Sequence, residues 1–185
     1  MNPDEEAQHQ AEALVTNFQK ENPNSESYDR AKFPDGKKDG VFRTPKVTAH
    51  YCDVANPDSV KATLSEITQQ HGKMDHLVTS AGFAENYDAI AYPYERMKML
   101  WNVNVDGSYL FATGMAKHLM ERNATGSMVM IGSMSGSVVN VPQPQAPYNA
   151  AKAAIRQLAA SLAVEWAHAN IRVNCISPGY MLTSL

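Results

Sequence analysis

The chain has little of what crosslinks, membranes or nucleic acids require. Only two of its 185 residues are cysteines. Cys52 and Cys175 lie far apart without metal-ligand spacing, and each falls in an apolar strand-like run. Two reduced, buried thiols are therefore expected, and no metal. No apolar run reaches the roughly 20 residues that a membrane-spanning helix needs, so no membrane partner is expected. The opening residues MNPDEEAQHQAEAL are acidic and polar and read as neither signal nor transit peptide, which makes the cytoplasm the expected compartment. Lys and Arg number 16 against 19 Asp and Glu, a formal net charge of -3, so no nucleic-acid partner is expected either. Asn123-Ala124-Thr125 is an N-glycosylation sequon, but without a secretion signal it carries little weight. A glycine-rich phosphate-binding turn is also missing: neither Gly-x-Gly-x-x-Gly nor Gly-x-x-x-Gly-x-Gly occurs, and the first glycine is Gly36.

What is present suits one globular domain over residues 1–185, long enough to bury a core, with 44% hydrophobic residues. Asp4 to Lys20 carries Ala7, Ala11, Leu14, Val15 and Phe18 at helical spacing. Residues 21–45 hold turn formers and charges with few apolar anchors, a polar insertion loop. Lys46 to Asp53 reads as a strand, and Asn56-Pro57-Asp58-Ser59 supplies an N-cap and early proline for a helix to about His71. Three apolar runs follow, MDHLVTSAG, SMVMIGSMSG and IRVNCISPG, separated by helices near 94–122 and 148–168. Strands alternating with helices of this length imply an α/β fold with a parallel sheet covered on both faces. In such sheets the chemistry gathers beyond the carboxyl ends of the strands. Those ends are small or polar: Cys52-Asp53, Ser80-Ala81-Gly82, Ser133-Met134-Ser135-Gly136 and Ser177-Pro178-Gly179.

Tyr148 and Lys152 stand four residues apart in the first turns of an alanine-rich helix and so project from one face. A free phenol, with a pKa of about 10, is a poor base at neutral pH. A neighbouring ammonium stabilises phenolate and brings the phenol toward proton transfer. Ser133, at a strand end, offers a hydroxyl to a substrate oxygen; Ser135 is its rival, and either serine could serve only as a turn former. Asn104 sits inside a helix, where asparagine is unfavourable. Its amide there could hold a water or distort the helix locally.

These residues, Asn104-x-x-Gly107, Ser133-x-x-Gly136, Tyr148-xxx-Lys152 and Ser177-Pro178-Gly179, resemble in order and spacing the motifs of the short-chain dehydrogenase/reductase family. Leu77 to Gly82 is similar to that family's Asn-Asn-Ala-Gly strand end, with Thr79 and Ser80 replacing the asparagines. The likeness runs from about Lys46 to Thr183. It implies a Rossmann-like, doubly wound parallel sheet and oxidoreductase chemistry on a carbonyl/alcohol pair. Tyr148 would be the general acid/base, Lys152 its pKa-lowering neighbour and holder of the nicotinamide ribose, and Ser133 the donor to the carbonyl oxygen. Asn104 would anchor a water linking Lys152 to solvent. The glycine three residues on favours Ser133; counting back from Tyr148 favours Ser135, unless the loop VNVPQPQAP is two residues longer than usual.

For the cofactor, the resemblance implies Asp53 and Val54 near adenine, Ala81 and Gly82 beneath the adenosine ribose, and Pro178, Gly179 and Thr183 at the carboxamide. The details GSMSG, AVEWA and SPGYMLT are similar to the polyol and ketose reductases of mannitol, arabinitol and sorbose type. That branch implies NADP(H) rather than NAD(H). A homo-oligomer, dimer or tetramer, is implied through the helices near 94–122 and 148–168, where Ala150, Ala151, Ala154, Ala159 and Ala163 would permit close approach. Set against the family pattern, the first β-α-β unit and the last strand are missing, so a truncated or fragmentary enzyme is expected. The competing expectation is a catalytically impaired remnant that serves only as an association module.

Overall fold

The computed structural model describes residues 48–181. The expected helix Asp4–Lys20, the insertion 21–45 and Thr183 lie outside the described residues. The chain divides between Tyr51 and Cys52, and every element named below belongs to the second of the two units.

Helix α1 (Pro57–His71) starts as its sequence dictates: the Asn56 side chain accepts from the amides of Asp58 at 2.9 Å and Ser59 at 3.3 Å. It stops at Gly72, whose φ of 80° only glycine adopts cheaply. Strand β1 (His76–Thr79) follows. A continuous helical run comes next: α2 (Tyr94–Trp101), a π-helical segment (Asn102–Asp106) and α3 (Gly107–Glu121). Then come β2 (Gly126–Ile131), a short turn (Met134–Gly136), α4 (Ala146–Glu165) and β3 (Ile171–Ile176). The strands form one parallel sheet in the order β1-β2-β3, with Leu77 opposite Met128 and Met128 opposite Val173.

The core lies on one face of this sheet. Met128 and Met130 of β2 and Ile171 and Val173 of β3 pack in a single cluster with Ala112, Met115 and Leu119 of α3 and with Ile155, Ala159 and Leu162 of α4. Both α3 and α4 pack on this face, the side to which right-handed crossovers between successive parallel strands lead. Among the described residues the helical cover gathers on this one face of the three-strand sheet. The opposite face shows Val78 at 60% and Ile176 at 54% exposure.

Three expectations change. No strand forms over Thr48–Asp53: the described sheet ends at β1, and without a neighbouring ladder the chain turns instead. Asp53 Oδ1 accepts from the Ala55 amide at 3.0 Å, and the Asp53 carbonyl accepts from the Asn56 amide at 3.1 Å. Cys52 and Cys175 are free thiols, as expected, but half-buried rather than buried, because one lies on that turning segment and the other near the open end of β3. Ala151 and Ala159, at 0% and 2% exposure, are consumed by the chain's own core, since the sheet-facing stripe of α4 runs through them.

Candidate active site

Asn104 is the best-defined side chain in the site. It is 1% exposed, and its Nδ2 donates to the carbonyls of Leu100 at 2.9 Å and Phe83 at 3.0 Å. The amide of Gly107 reaches back to the Asn102 carbonyl, the wider loop of a π-bulge, so the helix distorts at the asparagine as expected. Its remaining atom, Oδ1, is buried without a hydrogen-bond partner. A buried acceptor left open is costly and marks a place where a polar group is meant to arrive.

Gly82 fixes what stands beside that oxygen. A Cβ on Gly82 would lie 2.6 Å from Asn104 Oδ1 and 3.6 Å from Lys152 Nζ, so the three residues share one small space that only glycine leaves open. Lys152 is 6% exposed and donates from Nζ to the Ile131 carbonyl at 2.9 Å. Burial pushes its pKa below the usual lysine value, with Cys175 acting in the opposite direction. The same Nζ lies 5.7 Å from the centre of the Tyr148 ring. Gly136 sets the lysine from behind: a Cβ there would fall 2.7 Å from the carbonyl carbon and oxygen of Lys152 and 2.8 Å from the Ala153 amide. These are backbone atoms of α4 and cannot step aside.

Ser133, in extended conformation, caps the turn that follows: its Oγ accepts from the Ser135 amide at 3.1 Å. The turn is tied to the end of β3, where the Met134 amide donates to the Pro178 carbonyl at 2.9 Å. Gly179 stands nearby, with Met134 Sδ 3.6 Å from where its Cβ would be. The structure thus brings Asn104, Gly82, Lys152 and Tyr148 together, and joins the Ser133 turn both to Lys152 and to Pro178-Gly179.

The residues expected on the adenine side are divided between a cavity and the surface. Val54, Thr79, Ser80 and Ala81 line a cavity of about 210 Å³ together with Gly107 and Phe111. Asp53 is exposed and does not line it. Thr79 Oγ1, where the family carries an asparagine, is buried without a partner. A larger groove of about 700 Å³ runs between α1 and α3 and contains none of the expected site residues.

Two arrangements escaped the sequence. Ser135 is 6% exposed, and its Oγ accepts from Asn140 Nδ2 at 2.7 Å and Gln145 Nε2 at 3.3 Å. The only available signal was the run of amide side chains in VNVPQPQAP. Glu85 pairs with Arg96 and accepts from the Tyr92 hydroxyl at 3.2 Å. The Arg96 guanidinium, and after it the Tyr92 hydroxyl, hold the Glu85 carboxyl below its ordinary range. From the same loop the Tyr87 amide donates to the Pro144 carbonyl at 2.9 Å, linking the segment after β1 to the one that leads into Tyr148.

Residues 29–185 match the family model described as enoyl-(acyl carrier protein) reductase, a model of short-chain dehydrogenases and reductases. The chain belongs to the short-chain dehydrogenase/reductase family. It is 46% identical over 149 residues to a ribulose-forming D-arabinitol 2-dehydrogenase of Candida albicans, a match covering 79% of this chain and 53% of that one. It is 41% identical over 139 residues to an NADH-dependent L-xylulose reductase of Ambrosiozyma monospora, covering 74% and 51%. Among solved structures, a gluconate 5-dehydrogenase of Burkholderia cenocepacia in complex with NADP and tartrate superposes with a TM-score of 0.67 at 31% identity, over 71% of this chain and 50% of that one. The chain spans about half the length of the curated relatives it matches. With these short-chain relatives it shares a Rossmann-like α/β fold. Among the described residues no helix is long and apolar enough to cross a membrane.

Proposed function

We propose that this chain carries the reaction site of an oxidoreductase that interconverts a ketose, or a similar ketone, with the secondary alcohol of a polyol. One observation carries the reading: the buried grouping of Asn104, Gly82 and Lys152 beside Tyr148. The proposed cofactor is a nicotinamide dinucleotide, NADP(H) in preference to NAD(H); relatives are named with each, an NADH-dependent reductase and a dehydrogenase in complex with NADP. The residues present suit the nicotinamide end of such a dinucleotide. Gly82 lacks the Cβ that would crowd the space, Asn104 Oδ1 is an open buried acceptor, and Lys152 Nζ borders the same space. No glycine-rich cradle for the pyrophosphate occurs in the sequence.

When bound, the nicotinamide supplies or accepts the hydride. The chain's own residues do the rest. Tyr148 gives its phenolic proton to the carbonyl oxygen in reduction and takes it back in oxidation. Ser133 donates to the same oxygen and orients it. Lys152 stabilises the phenolate by its charge and offers N–H donors to ribose hydroxyls. Asn104, already spent as a donor, uses Oδ1 to hold a water on the path by which the tyrosine is reprotonated. Positioned proton transfer of this kind is worth roughly 10²–10⁴ in rate. The relatives named for arabinitol and xylulose support polyols and ketoses as the substrate class.

The test follows ketose-dependent oxidation of NADPH by the purified chain, with NADH in parallel. Tyr148→Phe is expected to lower turnover by about 100-fold or more at an unchanged thermal midpoint. Turnover that survives Tyr148→Phe contradicts the role of the phenol, and faster turnover with NADH contradicts the cofactor preference. A second reading, an association module without turnover, is favoured by the open sheet face with Val78 and Ile176 exposed. Light scattering on the same preparation separates it from the first: it requires an oligomer together with no ketose-dependent rate.

A further inference from the structure

Ser135 is bonded in a way that a simple turn residue does not need. Its buried hydroxyl accepts from two amide side chains, Asn140 Nδ2 at 2.7 Å and Gln145 Nε2 at 3.3 Å. A serine oxygen has two acceptor lone pairs and one proton. With both lone pairs engaged by N–H donors, the hydroxyl can act only as a donor, and among the described residues no acceptor takes its proton. The two amides therefore fix its direction of bonding before any substrate arrives.

Its position gives that proton a use. Ser135 lies two residues beyond Ser133 in the turn Met134–Gly136, whose Gly136 is wedged against the backbone of Lys152. Gln145, one of its two donors, is the residue immediately before α4 and stands three positions ahead of Tyr148. Ser135 thus belongs to the turn that Ser133 caps and is bonded to the residue that leads into the helix carrying the phenol.

Resting on the reaction proposed above, we propose that Ser135 donates its hydrogen bond to a substrate oxygen on the carbon next to the reacting carbonyl, and so selects α-hydroxyketones over simple ketones. Two serine hydroxyls spaced by one residue would then meet two adjacent oxygens, the pattern a ketose presents and a monoketone does not. Asn140 and Gln145 act through Ser135 as positioning residues. A site built to hydrogen-bond a hydroxyl discriminates strongly against the analogue that lacks it, because a buried donor is then left unpaired.

The experiment compares 1-hydroxybutan-2-one with butan-2-one, both by turnover and by saturation-transfer NMR in the absence of turnover. Ser135→Ala is expected to reduce the preference for the hydroxyketone about tenfold while leaving butan-2-one within about twofold, the size of one neutral hydrogen bond. Ser133→Ala is expected to slow both ketones alike. Asn140→Asp keeps shape but turns a donor into an acceptor that captures the Ser135 proton, and it should likewise reduce the preference. Ser135→Thr, which keeps the hydroxyl, should retain it. An unchanged preference in Ser135→Ala, an equal loss for both ketones, or no preferential binding of the hydroxyketone by the unmodified chain overturns the proposal. Preferential binding without reduction of either ketone sinks the reaction assigned above and leaves the Ser135 contact standing; turnover with no preference sinks the contact alone.

Discussion

At one end of the candidate site Lys152 is 6% exposed, backed by Gly136 and bonded to the Ile131 carbonyl. At the other end Asp53 stands exposed on a segment that forms no strand, its carboxylate spent on its own turn. The first end is assembled by helix-on-turn packing between elements that are close in sequence and touch through backbone atoms. The second relies on a strand being held in place by a sheet neighbour, and among the described residues β1 is the last strand on that side. Packing between adjacent elements thus buries Lys152, whereas Asp53 stays exposed on a turn bonded only to its own neighbourhood.

Glycine substitutions break this contrast most sharply. Gly136→Ala would place a Cβ against the backbone of Lys152 and Ala153, and neither can move without displacing α4. It is expected to cost about 2 kcal/mol or more, read from urea unfolding. Gly107→Ala meets the Val54 carbonyl at 2.9 Å, a single turn residue ahead of α1 rather than the backbone inside a long helix. The better helix propensity of alanine, worth about 1 kcal/mol, offsets much of the contact. A net change within about 1 kcal/mol is expected there. Equal losses at the two glycines would show that the two ends are equally rigid.

A smaller effect sharpens the comparison through pH. Burial lowers the pKa of Lys152, so the folded chain releases that proton at lower pH than the unfolded chain does. Between the lowered folded pKa and the ordinary value near 10.5, the unfolded state binds more protons, and stability from this group must rise with pH. Below that window the burial penalty is present in full; above it the penalty is gone. The stability of the unmodified chain minus that of Lys152→Met is therefore expected to increase through the alkaline range. A difference that falls with pH would mean the ammonium is stabilised, not desolvated, by its site.

Much of this was legible in the sequence because the signals were local. Asn56-Pro57 marks the start of α1, and Asn104 inside a helix allowed a local distortion, which takes the form of the π-bulge. The four-residue spacing of Tyr148 and Lys152 placed both on one face of α4. Even the open sheet face had a trace: in IRVNCI, Arg172 and Asn174 alternate with Ile171, Val173 and Cys175, which argues for one covered side. The apolar character of KVTAHYCD suggested a strand, but strand formation depends on a neighbour that no local pattern supplies. The Asn140–Ser135–Gln145 network was hidden for a related reason. Its amides reach the hydroxyl only once the loop folds back over the turn, a contact set by closure rather than by spacing.

The most direct measurement follows the hydride itself. The purified chain is incubated with a ketose and NADPH deuterated at the transferring C4 position of the nicotinamide, and the polyol product is examined by mass spectrometry and NMR. Deuterium at the former carbonyl carbon, lost in parallel with turnover in Tyr148→Phe, is the expected result. A polyol without deuterium at that carbon, or no polyol at all, would contradict the assignment of Tyr148, Lys152, Ser133 and Asn104 as a working carbonyl-reduction site.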